Sequence, residues 1–174
     1  MSSLYHSLET IGSTEYINLA GVQNIPAKID TGADSSAVWA SRIDMRRDGT
    51  LIFSLFDQES PFYTGEQLEV TNYMVKVIRS SYGDEQIRYR VKLPVIIKGK
   101  SFETTFTLAN RSRNKFPVLI GRRTIKKIFL VDVSKSSILR QNFPNTKRLN
   151  RELKQDPYRF HQKYIIANKQ EGDL

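Results

Sequence analysis

Apolar and polar positions alternate along most of the chain in short runs, which predicts strands joined by turns. Glu15 to Ala20 alternates as a strand, and Gly21 to Asn24 supplies a turn. Ile25, Ala27 and Ile29 then alternate with Pro26 and Lys28, the pattern of a half-buried strand, and this strand delivers Asp30 to its end. A short apolar run from Ala37 to Ala40 predicts the next strand, with Trp39 either in the core or walling a binding subsite. Arg42 to Gly49 reads as a charged connection, Thr50 to Phe56 as a strand, and Asp57 to Gly65, with Pro61 and Gly65, as a loop. Gln67 to Arg79 and Gln86 to Ile97 are long β-rich segments, and the polar stretch Ser80 to Glu85 between them is a hairpin signal. Lys98-Gly99-Lys100 is a tight turn into Ser101 to Ala109, where Phe102, Thr104, Phe106 and Leu108 share one side. After the basic loop Asn110 to Lys115, Val118 to Ile120 predicts a buried strand, Gly121 opens a short helix through about Lys127, and Phe129 to Val133 closes the β region. Residues 1–13 are polar and read as an arm or partial edge.

The composition changes near Arg140. Asn142 to Gln155 is polar and basic, and Asp156-Pro157 supplies an N-cap acid and a first-turn proline for a helix over Tyr158 to Lys169. Phe160, Tyr164 and Ile165 share one face of that helix, which docks on the β domain, mediates dimerisation or binds a partner. The expected organisation is a β domain over residues 1–141 and a basic extension over residues 142–174.

A chain of 174 residues can bury about two thirds of its unfolded surface. It has no cysteine, which excludes disulfides and thiolate metal sites. Met1 to Glu9 shows no basic head or apolar run of signal-peptide length, and no run approaches the roughly 18 apolar residues of a membrane span. The expectation is a soluble cytoplasmic protein without a membrane partner. The formal net charge of +9 favours anionic partners, whether nucleic acid, ribosome surface or acidic peptide, or serves solubility alone. Tyr82, Tyr89, Tyr158 and Phe160 form no recognisable stacking motif, so nucleic acid is not the expected ligand.

The densest signal lies at Asp30. An acidic residue directly after an apolar strand, followed by Thr31, Gly32 and Ala33, is a carboxylate on a tight turn, within reach of a hydroxyl and of backbone N–H groups. Glycine permits a sharp reversal there, and Ala33 is small enough for another segment to pass close by. A plain Asx-type turn at a strand end would have the same look.

Asp30-Thr31-Gly32-Ala33-Asp34 is similar to the active-site motif of the retroviral-type aspartic proteases, the retropepsins. Phe116-Pro117-Val118-Leu119-Ile120-Gly121-Arg122 resembles the hydrophobic-hydrophobic-Gly-Arg segment that runs behind the active-site loop in those enzymes. Lys28 to Ala33, Phe106 to Arg111, Leu119 to Arg122 and Phe129 to Asp132, in this order, resemble more closely the bacterial retropepsin-like family that carries the label "ATP-dependent zinc protease". The resemblance covers roughly residues 10 to 141.

It implies a closed, acid-protease-like β-barrel and an aspartic endopeptidase. Peptide hydrolysis by aspartates needs two adjacent carboxylates, one a base toward water and the other a proton donor to the scissile carbonyl. The chain has one Asp-Thr-Gly, so a homodimer is expected, with Asp30 of each copy facing its mate. Thr31 would brace the two loops, and Gly32 would offer its N–H to the carboxylate. Ala33 and Asp34 are expected substrate contacts; Asp34 either accepts a hydrogen bond, meets an arginine such as Arg122, or is an exposed turn residue. The hairpin occupies the slot of the retropepsin flap, with Tyr82 and Gly83 at the tip as further substrate contacts. Ile120, Gly121 and Arg122 are the expected structural support. The zinc and ATP of the family label do not follow from the residues: His-Glu-x-x-His and Walker A are absent, and the only histidines are His6 and His161. No metal or cofactor is expected. Relatives are often encoded beside ATP-grasp ligases that attach amino acids such as glutamate. That association implies a ligase partner and, with the basic surface, acidic or glutamylated peptide substrates. The competing reading is a non-catalytic barrel that uses its basic face to hold a peptide, a ligase or RNA.

Overall fold

The computed structural model describes residues 8–79, 85–138 and 144–166, which fall into two compact units, the first ending at Ile138. The first unit is almost entirely β: β1 (Glu9–Ile11), β2 (Thr14–Leu19), β3 (Val22–Asp30), β4 (Ser36–Met45), β5 (Leu51–Leu55), β6 (Leu68–Val70), β7 (Tyr73–Arg79), β8 (Glu85–Ile97), β9 (Lys100–Ala109), β10 (Val118–Gly121), the single-turn helix α1 (Arg122–Ile125) and β11 (Phe129–Val131). Among the described residues no helix is long and apolar enough to cross a membrane.

Six strands close on themselves in the order β10, β3, β2, β8, β9, β4, because β10 pairs in parallel with β3 and antiparallel with β4. The expected closed, acid-protease-like barrel is thus present. β5 and β6 extend the sheet from the far part of β4, β7 pairs with β8, and β1 pairs in parallel with β11 as a separate ribbon. The alternation read from sequence places the core: Ile25, Ala27 and Ile29 of β3 are buried while Lys28 is exposed. At the end of β9 the alternation ceases, and Phe106, Thr107, Leu108 and Ala109 are all buried. β9 lies there between β8 and β4, covered on both faces.

Several boundaries differ from the sequence pattern: β3 begins at Val22, inside the expected turn, and Gln67 to Arg79 divides into β6, paired with β5, and β7, paired with β8. Residues 42–45, expected in a charged connection, continue β4, since Asp44 and Met45 pair with Ile52 and Leu51. Their side chains face solvent, so charge at these positions costs nothing and hides the strand. The helix expected through about Lys127 stops at Ile125, and Lys127 turns into the left-handed region with φ 66°. The closing strand ends at Val131, because Asp132 accepts from Ser134 N and Ser134 Oγ and starts a turn.

The buried carboxylate of Glu15 joins the ends of this unit. It accepts from Gly12 N at 2.7 Å and from Ser137 Oγ at 2.6 Å, with Lys98 Nζ 3.7 Å away. Ser137 N also donates to Thr14 O at 3.1 Å, so the segment after β11 is stitched onto β2.

The second unit contains α2 (Pro144–Gln155), α3 (Pro157–His161) and a π-helical turn (Gln162–Ile166). Asp156 caps α3 as expected, accepting from Arg159 N at 2.9 Å. The polar stretch before it also forms a helix, which the apolar pattern did not predict. Glu152, paired with Arg148 one turn earlier and reached by Lys163 and by Tyr164 Oη, ties this unit together.

Candidate active site

The position of Asp30 follows from register. In the parallel pair β3–β10, Ile29 stands opposite Ile120 and Asp30 opposite Gly121. The two isoleucines are buried, which fixes the register and carries Asp30 just past the core. β10 lies between β3 and β4, so the turn that joins those strands, residues 31–35, wraps over the end of β10.

The turn touches the chain beneath it. A Cβ on Gly121 would lie 2.5 Å from the carbonyl carbon and 2.6 Å from the carbonyl oxygen of Ser35. Arg122 N donates to Ala33 O at 2.8 Å and Arg123 N to Asp34 O at 3.2 Å, so α1 begins by holding the turn. Ser36 Oγ, buried under the turn, accepts from Gly121 N at 3.0 Å and lies 2.7 Å from Thr124 Oγ1, which is 2.9 Å from Thr104 Oγ1. Sequence reasoning missed this hydroxyl chain. Its signal was Thr104 on the inward side of an alternating strand and Ser36 entering an apolar one.

Asp30 is half-buried, and its Oδ1 accepts from Gly32 N at 3.1 Å and from Ala33 N at 3.2 Å. Thr31 and Gly32 are exposed. Gly32 does not occupy the left-handed region, so the reversal does not need glycine there. The close approach expected at Ala33 is real, but the residue that must be small is Gly121. Thr31 Oγ1 makes no hydrogen bond among the described residues.

Asp34 meets arginine, but the closer partner is Arg123, not Arg122. Arg123 Nε donates to Oδ1 at 3.1 Å and its Nη2 lies 3.1 Å from Oδ2, against 4.0 Å for Arg122 Nη2. The hydrogen bond from Arg123 holds the Asp34 carboxyl below its usual range; desolvation opposes it, and the charges of Arg123, Lys76 and Arg122 reinforce it. Lys76 comes from β7: its Nζ donates to Ser35 Oγ at 2.6 Å and lies 3.8 Å from Asp34 Oδ2. The β7–β8 hairpin therefore leans onto the Asp30 turn. The expected tip residues Tyr82 and Gly83 lie outside the described residues.

Two hollows flank the turn. One, of about 480 Å³, is lined by Thr31, Asp34, Arg122, Arg123, Ile125 and Lys126. The other, of about 420 Å³, is lined by Asp30 with Lys28, Arg111, Lys115, Phe116 and Leu119 among its walls. Arg111, which sequence reasoning did not single out, is half-buried and donates from Nε and Nη2 to Phe116 O, each at 3.1 Å. Burial pushes its pKa down, the nearby Arg88 adds to this, and Asp30 opposes it.

The RimB-like family, described as retropepsin-like aspartic endopeptidase RimB, matches residues 10–142. Among curated proteins the chain is similar to probable alpha-L-glutamate ligases. It is 30% identical over 134 residues to that of Shewanella pealeana and 30% identical over 136 residues to that of Shewanella halifaxensis, covering 74% and 75% of this chain. To that of Desulfotalea psychrophila it is 26% identical over 127 residues, 70% of this chain. The matches span only 27% to 30% of the ligases' own lengths. Among solved structures, a Legionella pneumophila protein of unknown function superposes with a TM-score of 0.58 at 24% identity, covering 75% of this chain and 97% of that one, a likeness of fold. The barrel, the Asp-Thr-Gly turn braced by β10, and a family match across residues 10–142 agree, and this chain belongs to the RimB-like family of retropepsin-like aspartic endopeptidases.

Proposed function

We propose that two copies of this chain form one aspartic peptidase site, with Asp30 of each facing the other across a two-fold axis. The observation that carries this reading is the Asp30 carboxylate itself. It stands at the end of a core-fixed strand, cradled by Gly32 and Ala33 N–H on a turn whose Thr31 hydroxyl has no partner among the described residues. One carboxylate alone cannot both take a proton from water and give one to a carbonyl oxygen. Two, holding one proton between them, can do both.

In the proposed reaction the ionised Asp30 removes a proton from a bound water, and the water oxygen bonds to the scissile carbonyl carbon. The protonated Asp30 of the second copy gives its proton to the carbonyl oxygen. On collapse of the tetrahedral intermediate the C–N bond breaks, the proton gained from water passes to the leaving amine, and one hydroxyl of the intermediate returns its proton to the second Asp30 as the C=O re-forms, restoring the shared proton. Thr31 of each copy braces the opposite loop, Ala33 and Asp34 contact the substrate, and the β7–β8 hairpin covers it. The substrate is an acidic or glutamylated peptide. Support comes from the cationic walls on both sides of the turn and from relatives that are probable glutamate ligases. A cytoplasmic setting suits a chain without cysteine.

Asp30→Asn tests the reading: hydrolysis of a glutamate-rich peptide is lost, while the thermal melt stays within a few degrees of the parent. Cleavage that continues undiminished removes Asp30 from the chemistry. A second reading, a barrel that binds its peptide or a ligase without cutting, draws on the size of the matched ligases, of which this chain spans under a third. A wild-type chain that is monomeric and binds glutamyl peptide intact would favour it.

A further inference from the structure

The hollow beside Asp30 has an asymmetry of charge that its hydrogen bonds explain only in part. On the other flank of the turn, Arg123 is spent on Asp34, with Arg122 at the limit of contact. In the Asp30 hollow, Arg111 has no carboxylate partner among the described residues, and its two bonds go to one carbonyl oxygen, Phe116 O. Those bonds fix the plane of the guanidinium from one edge and leave Nη1 donors free to meet a ligand. Arg88, whose Nε is held by Gln86 Oε1 at 2.8 Å, comes from the hairpin strand β8, and Lys28 stands on the outer face of β3. Arg111 feels the charges of both Arg88 and Asp30, and Lys28, Arg111 and Lys115 share a hollow in which, among the described residues, Asp30 is the only acid. Like charges brought together in a half-buried place repel until an anion joins them.

We infer that Arg111 is the specificity-determining residue of the Asp30 hollow, selecting a carboxylate side chain of the peptide next to the bond that Asp30 acts on. The inference deepens the proposed peptidase reading and rests on it for the words "acts on"; selection itself is a matter of binding. A fork already held by Phe116 O loses little freedom when it takes a carboxylate. A carboxamide of the same shape offers one neutral oxygen and brings an N–H group toward cations, so it is rejected.

The test uses the full chain carrying Asp30→Asn, which does not hydrolyse under the reading above, and two labelled peptides, tetraglutamate and tetraglutamine, followed by fluorescence anisotropy. Tetraglutamate is expected to bind roughly tenfold or more tightly than tetraglutamine. Adding Arg111→Gln should reduce that preference to about threefold or less, and Arg111→Lys, which keeps the charge and loses the fork, should fall between. Equal binding of the two peptides by the Asp30→Asn chain overturns the inference. So does a preference that survives Arg111→Gln in a protein whose circular dichroism matches the parent. If Arg111→Gln does not fold, an undiminished preference in Arg111→Lys overturns it. Hydrolysis of tetraglutamate by the wild-type chain is measured alongside. Cleavage with no effect of Arg111 leaves the peptidase reading standing without the inference, whereas an Arg111-dependent preference without cleavage sinks the peptidase reading and keeps Arg111 as the carboxylate selector.

Discussion

A methyl group at residue 121 would press backbone against backbone, because the atoms it meets, at 2.5 and 2.6 Å, belong to the Ser35 carbonyl. No rotamer change relieves that. Gly121→Ala should therefore lower the unfolding free energy by roughly 1–3 kcal/mol in urea titration. Gly32→Ala is the contrast: its added Cβ meets only Asp30 Oδ1, at 3.4 Å, and it should stay within about 1 kcal/mol of wild type. The reverse ranking would mean that the turn, and not its support, sets the geometry. Asp34 makes a second residue-scale case. Its carboxyl is held below the ordinary value of 3.8 by Arg123, so its ion pairs stabilise the folded chain above that pH and fade as pH falls through the depressed value. Asp34→Asn should melt below wild type at neutral pH, with the gap closing only in acid below 3.8. The turn thus stays clamped at the mildly acidic pH where many carboxylates begin to protonate. A gap that is unchanged from neutral pH to pH below 3.8 would show that Asp34 does not act through its charge.

At the scale of elements, the stitch between β2 and the segment after β11 depends on the buried Glu15. Ser137→Ala takes away a donor 2.6 Å from Oε2 and leaves Lys98 Nζ at 3.7 Å as the other contact to that oxygen. The cost should be about 1–3 kcal/mol in chemical denaturation, and a loss near zero would mean that Lys98 closes in to replace the hydroxyl. The alternation of β2 places Glu15 on the inward face with Ile17 and Leu19, but the stitch itself could not be read from the chain, since the partner Ser137 lies 122 residues away. β3 and β10 were legible for the opposite reason: Ile25, Ala27 and Ile29 and the run Val118 to Ile120 carry their burial in their own side chains. The turn at position 30 was legible because a carboxylate directly after such a run can accept from the N–H groups that follow it, as Asp30 does from Gly32 and Ala33. α2 was not, because its apolar residues are few and its order rests on pairs such as Arg148–Glu152, which look like any charged stretch. The resemblance marked Gly121 as support, but the reason it must be glycine lay hidden, because close approach is a property of two segments far apart in sequence, and only register brings them together.

For the whole molecule, the proposed chemistry needs two chains, so activity should depend on concentration in a way no single-chain enzyme does. On serial dilution the specific activity should fall, and the fall should coincide with the loss of dimer seen by analytical ultracentrifugation. Specific activity that stays flat through that transition, down to a monomeric solution, would sink the shared site. The net charge of +9 bears on the same question, since it opposes self-association at low salt while drawing in an acidic peptide. Added salt should therefore tighten the pairing of chains and weaken peptide capture, two trends of opposite sign within one assay.

The seat of β10 between β3 and β4 also orders events during synthesis. A nascent chain that has emerged only as far as β9 already contains Asp30, Thr31 and Gly32, but the strand that props their turn has not yet been made. The proposed peptidase site is thus unfinished until the last part of the barrel is translated. On the peptidase reading, a growing polypeptide would be kept harmless to itself and to its neighbours by the order in which its strands are written.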